Sequence, residues 1–177
     1  PYLSKLFAAS QKQDAETLLN QSLGLISAGI SFLAVAIFIL REDIIVLIFS
    51  ADYIIAALPL FLMIVNFHLR AMSNILGYST VSAGHSAVPV IANMVSSTVL
   101  LAGSILMIPR YGVIGAIVSL FLMNLSTQTV YRYYLVRTGI GIKALDYLKP
   151  LFLVAFLCGL YYFMQWDDLV TKWLLFG

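Results

Sequence analysis

The residue types best suited to chemistry cluster at Asn66, His68, Arg70, Ser73, Asn74 and Gly77, inside a stretch that is otherwise apolar. At helical spacing Asn66, Arg70, Ser73, Asn74 and Gly77 fall on one face. Arg70 lies between the charge-free runs 53–69 and 71–109, which places it within a membrane span. An arginine at the centre of a span costs about 2.5–3.5 kcal/mol, and such residues almost always face a bundle interior or a water-filled cavity. The stripe therefore reads as the lining of a transport pathway. The plainer alternative, a snorkelling guanidinium, does not call for the amides and hydroxyls beside it. His68 points away from the stripe and reads first as a packed or interface histidine. Its ordinary pKa of about 6.5 makes proton coupling its second role.

Weaker polar stripes lie at Asn20, Gly24, Ser27 and Ser31, at Asn93, Ser96 and Ser97, and at Asn124, Gln128 and Tyr131. Small and hydroxyl residues at such spacings, including Gly24/Ala28 and Gly112/Ala116, chiefly mediate close helix packing. Asn124 and Gln128 suit either role, because their polar bulk is wasteful in a purely packed seam. Nothing in the chain suggests covalent chemistry. There is no phosphate-binding glycine loop, HExxH, paired Cys or His set, or serine elbow, so no enzyme activity, cofactor or metal is expected. Asp167 and Asp168 are sequence neighbours that do not face each other on a helix and read as solvated loop residues.

The elements that must position these groups follow from composition. Hydrophobic residues make up 62% of the chain and charged residues 10%, against about 25% charged in soluble domains. Charge-free runs at 17–40, 53–69, 71–109, 111–131 and 150–166 approach or exceed the roughly 20 residues a spanning helix needs. The expected fold is all-α: a polytopic membrane protein with about five complete transmembrane helices and the start of a sixth after Asp168. The spans are placed at about 18–40, 54–80, 88–108, 112–135 and 148–166. Pro59, Pro89, Pro109 and Pro150 sit near their ends, where proline is tolerated. Ser82-Ala83-Gly84-His85-Ser86 supplies a turn within the longest run. Residues 1–17 read as a cytoplasmic interfacial segment, with a capping-box pattern at Ser10 and Gln13.

Apart from Arg70, every charge is placed in a loop or interfacial segment. Lys5, Lys12, Arg132, Arg137, Lys143 and Lys149 fall on one side and Arg41, Arg110 and Lys172 on the other. The positive-inside rule then makes the N-terminal segment and the 136–147 loop cytoplasmic. Tyr131, Tyr133 and Tyr134 at one interface and Tyr161, Tyr162 and Trp166 at the other fit aromatic belts. Scattered basic residues and a net charge of +2 give no nucleic-acid surface. The lone Cys158 leaves no intrachain disulfide. The start at Pro1 without a leader pattern, and the short apolar tail 173–176, read as the bounds of a piece of a longer protein.

Three stretches carry a family resemblance. Phe49-Ser50-Ala51-Asp52-Tyr53-Ile54-Ile55-Ala56-Ala57 resembles the outer-loop motif fG-x-x-Y-x-x-A of the polysaccharide-biosynthesis flippases, with Ser50 where the family usually has glycine. Leu106-Met107-Ile108-Pro109-Arg110-Tyr111-Gly112-Val113-Ile114-Gly115-Ala116 is similar to their LIPxYGxxGA stretch, and Leu3-Ser4-Lys5-Leu6 with Asp14-Ala15-Glu16 to a cytoplasmic inter-span loop. These proteins share a superfamily with the multidrug and toxic-compound (MATE) exporters and the peptidoglycan lipid flippase.

The resemblance implies the C-terminal lobe of a MATE-like flippase in a bacterial or archaeal cytoplasmic (inner) membrane. Such a protein moves a polyprenyl-diphosphate-linked oligosaccharide from the cytoplasmic to the outer leaflet for O-antigen, capsule or exopolysaccharide synthesis. Implied partners are that lipid-linked substrate, membrane lipids, an N-terminal lobe and glycan polymerase machinery. Arg70 is then expected to pair with phosphate oxygens, and Asn66, Ser73, Asn74, Asn124 and Gln128 to contact substrate. A drug or small-solute exporter of the same superfamily is the first alternative, although such exporters usually need an intramembrane carboxylate and the acidic residues lie outside the spans. A membrane scaffold subunit without a translocated substrate is the second.

Overall fold

A computed structural model describes residues 11–143 continuously, together with Leu6, Ala9, Lys149, Phe152 and Val154. The expected fifth span at 148–166, the start of the sixth, and Ser10 of the capping box lie outside the continuously described residues. Among the described residues the chain is helical without strands: α1 (Lys12–Ile48), a 3-10 turn (Ala51–Ala56), α2 (Ala57–Ser82) and α3 (Val88–Arg137). Three segments, Lys12–Ile48, Ala51–Ser82 and Val88–Arg137, are long and apolar enough to cross a membrane. The described residues thus carry three such helices, and the larger count expected from the sequence is not reached within them.

Two boundaries differ from the sequence expectation. The first is at the end of α1, which runs through Arg41, Glu42 and Asp43 to Ile48 instead of stopping at Leu40. Arg41 is therefore not a loop residue. It is buried, donates from Nη1 to the Phe38 carbonyl at 2.6 Å, and lies 4.5 Å from the Phe38 ring centroid. Glu42 Oε1 stands 3.4 Å from its Nη2. Local carbonyl, ring and carboxylate contacts offset the loss of water that would otherwise drive this arginine into a loop. At its other end α1 begins after Gln11, without a side-chain cap.

The second difference lies in α3, whose two helical limbs, the expected third and fourth spans, meet at a kink with no loop between them. Helical geometry continues through Pro109 and breaks at Gly112, whose φ of 55° and ψ of −129° suit glycine. The break folds the run back on itself. Gly103 lies against Ser119, and a Cβ on Gly115 would stand 2.4 Å from the Met107 carbonyl oxygen. Both pairs are centred on residue 111, next to the bend, as the two limbs of a closed helical hairpin require, and glycine is what lets them approach so closely.

The limbs alternate in direction. Ser27 meets His68 and Phe38 meets Phe61, so α1 and α2 are antiparallel. Asn66 meets Asn124 and the Leu69 carbonyl meets Gln128, so α2 runs parallel to the second limb of α3. Leu19 and Leu23 of α1, Met72 and Leu76 of α2, and Val88, Tyr131 and Leu135 of α3 pack into one core with Ile140. The core gathers the start of α1 and both ends of α3 at one end of the bundle. A bond from Lys12 Nζ to the Thr138 carbonyl, 3.0 Å long, closes the same end.

Candidate functional site

The polar stripe of α2 is divided by its neighbours. Asn66, Ser73 and Gly77 are buried, whereas Arg70 and Asn74 are exposed. At about 100° per residue, the three buried positions lie within about 40° of one another, Arg70 sits about 20° beyond them, and Asn74 about 40° further. One edge of the stripe is therefore closed by α3 while the other is left open.

The closed edge is a hydrogen-bonded seam. Asn124 Nδ2 donates to Asn66 Oδ1 and, at 3.1 Å, to the Leu120 carbonyl. Gln128 Nε2 donates to the Leu69 carbonyl at 2.9 Å, and Ser73 Oγ donates to the same oxygen at 3.0 Å. Gly77 faces Tyr131, whose Cζ would lie 3.0 Å from a Cβ built there. Asn124 and Gln128, which suited either role on sequence grounds, are thus brought to Asn66 and Ser73 but not to Arg70. Asn124 and Gln128 pack in this seam because each finds an acceptor on the neighbouring helix, which removes the cost of burying them unpaired, whereas Asn66 accepts through Oδ1 and its Nδ2 has no partner among the described residues.

Arg70 occupies the middle of α2 and makes no hydrogen bond or ion pair among the described residues. Asn74, one turn further along, extends its exposed face. His68 lies on the other side of the helix. It is buried against α1, with Nε2 2.8 Å from Ser27 Oγ and Nδ1 without a partner among the described residues. The side chain expected as a packed or interface histidine sits at the α1–α2 contact, away from Arg70.

A second polar cluster lies at the closed end of the bundle. Lys12, Glu16 and Asn20, spaced one turn apart on α1, grip the segment that leaves α3. Glu16 Oε2 accepts from Gly141 N at 2.9 Å, and Asn20 donates to the Gly141 carbonyl and accepts from Lys143 N, both at 3.0 Å. Glu16, Thr17, Asn20, Gln21 and Lys143 border a groove of about 330 Å³. Sequence reasoning placed Asn20 in a small-residue packing stripe and did not see this grip. The available signal was three polar residues at four-residue spacing on α1 together with the glycines at 139 and 141.

Comparison of the chain with protein-family models, with curated proteins and with solved structures gives no match. The functional reading accordingly rests on the residues themselves and on the motif resemblance.

Proposed function

We propose that this chain is part of the C-terminal lobe of a flippase that carries a polyprenyl-diphosphate-linked oligosaccharide from the cytoplasmic to the outer leaflet for surface polysaccharide synthesis. The observation that carries the reading is Arg70: a guanidinium in the middle of an apolar helix, exposed and without a partner among the described residues. A cation in that position is costly in hydrocarbon. A diphosphate entering beside it removes the cost, because the planar guanidinium pairs bidentately with phosphate oxygens. Asn74 on the same open edge is the amide left to bond sugar hydroxyls. Asn66, Ser73, Asn124 and Gln128 act through the seam, holding the face of α2 that presents Arg70.

In this reading the described helices, with both limbs of α3 crossing, are four of five spans, and a sixth begins after Asp168. The protein sits in a bacterial or archaeal cytoplasmic membrane, beside an N-terminal lobe and glycan polymerase machinery, and needs no catalytic residue or cofactor. The end carrying Lys12, Arg132, Arg137 and Lys143 is cytoplasmic. Among the described residues it has only Asp14 and Glu16 as acids, whereas the other end carries Glu42, Asp43 and Asp52 along with Arg41 and Arg110.

Export of lipid-linked glycan by the full-length protein tests the assignment. Arg70→Ala and Arg70→Glu are expected to abolish it, and Arg70→Lys to retain part of it. Unchanged export in both of the first two variants overturns the role of Arg70. Cysteines placed along residues 66–77 separate transport from scaffolding. A water-soluble thiol reagent is expected to label positions 70 and 74 and spare 66, 73 and 77, whereas protection throughout marks a dry face and a subunit that moves no substrate.

A further inference from the structure

We infer that the exposed face at the end of α3 holds the headgroup of an anionic phospholipid between Arg132 and Arg137. Thr129, Arg132, Tyr133, Val136 and Arg137 border a groove of about 440 Å³. Among the described residues the two arginines are its only charged ones, and both lie in the last two turns of α3, at the end of the bundle where Lys12 and Lys143 also lie.

One arginine is held ready. The Arg137 guanidinium stacks over the Tyr133 ring, 4.5 Å from its centroid, and Tyr133 meets Tyr134 edge-on at 5.5 Å. Stacking fixes the plane of the fork while leaving its N–H edge free for a phosphate. Arg132 is half-buried on the adjoining turn. The Thr129 hydroxyl donates to the Leu125 carbonyl at 2.8 Å, so it closes the groove as a wall and offers a phosphate no proton. Val136 gives the groove an apolar side for the glycerol backbone.

Position and charge select the occupant. The groove lies at the end of a membrane-length helix, flanked by tyrosines of the kind that sit at headgroup level. It also lies at the end of the bundle with the positive excess, which the positive-inside rule assigns to the leaflet rich in anionic lipid. The site is on the far side of α3 from the seam with α2, and it does not depend on what Arg70 binds.

Native mass spectrometry of the delipidated full-length protein, titrated with phosphatidylglycerol or phosphatidylcholine, tests the assignment. The wild type is expected to prefer phosphatidylglycerol. Arg132→Gln and Arg137→Gln should each weaken that binding about fivefold, the usual contribution of one basic residue at an anionic surface. Tyr133→Leu, which leaves the charge intact, should weaken it by a smaller factor, and Arg110→Gln at the opposite end should leave it unchanged. Circular dichroism establishes that each variant remains helical. Equal binding of both lipids, loss of preference in Arg110→Gln, or unchanged binding in both arginine variants overturns the site. Displacement of the lipid by millimolar inorganic phosphate overturns the lipid as its occupant.

Discussion

Replacing Gly115 with alanine sets a methyl group against the backbone of the opposing limb of α3. The new carbon stands 2.4 Å from the Met107 carbonyl oxygen, 2.6 Å from its carbonyl carbon and 3.0 Å from Ile108 N, where ordinary contact begins at 3.4 Å. None of these atoms belongs to a side chain that can rotate away, so the limbs must part by about 1 Å. A gap of 0.5–1 Å forfeits roughly a quarter to a half of the dispersion attraction between the surfaces it separates. Overpacking of this kind costs about 1–3 kcal/mol, and alanine returns about 1 kcal/mol through its better helix propensity. The net expectation is a loss of up to about 2 kcal/mol.

Two further substitutions serve as references for that value. At Gly103 the added carbon meets the Ser119 hydroxyl at 3.1 Å and its Cβ at 3.3 Å, contacts relieved by a shift of a few tenths of an ångström, and a smaller change than at Gly115 is expected. At Gly29 nothing lies within 4 Å, and alanine should stabilise by about 0.5–1 kcal/mol. Reversible unfolding in mixed detergent micelles measures all three. A Gly115→Ala protein as stable as Gly29→Ala refutes the close crossing, because an open bend at Gly112 would make both positions equivalent.

Two predictions concern other parts of the chain. Ser50 adopts φ 149° and ψ 172°, a region that is essentially glycine-only. Ser50→Gly should therefore stabilise by about 1 kcal/mol and Ser50→Ala should not; equal effects in the same unfolding assay would remove strain at that turn as the cause. In the seam, Asn124→Ala and Gln128→Ala should each cost about 0.6–1.7 kcal/mol, the range for hydrogen bonds between membrane helices. Because both side chains are buried in structural bonds, transport measured at saturating substrate should track the folded fraction. Lost substrate affinity without lost stability would instead place these amides in the pathway.

Arg70 was legible as an exception because it is one cation within a long apolar run, and that inference needs only the sequence. Arg41 was not legible in the same way. With Glu42 and Asp43 beside it, it has the composition of a loop, and nothing local announces that Phe38 one turn back supplies both a carbonyl and a ring. The grip of Lys12, Glu16 and Asn20 on residues 138–143 was hidden for a different reason. Its partners are backbone groups more than 120 positions away, and a backbone amide leaves no mark in the residue types.

The sequence by itself determined the membrane-length helices, the apolar class and the polar stripe of α2, because hydropathy and the 3.6-residue period are local properties. Only the tertiary structure decided which edge of that stripe is open. Helical spacing fixes the angles between Asn66, Arg70, Ser73 and Asn74, but the direction from which a neighbouring helix approaches depends on residues such as Asn124, 58 positions away. That approach buries Asn66 and Ser73 as structural amide and hydroxyl and leaves Arg70 and Asn74 facing outward. It thereby divides one sequence motif into a scaffold and a candidate site.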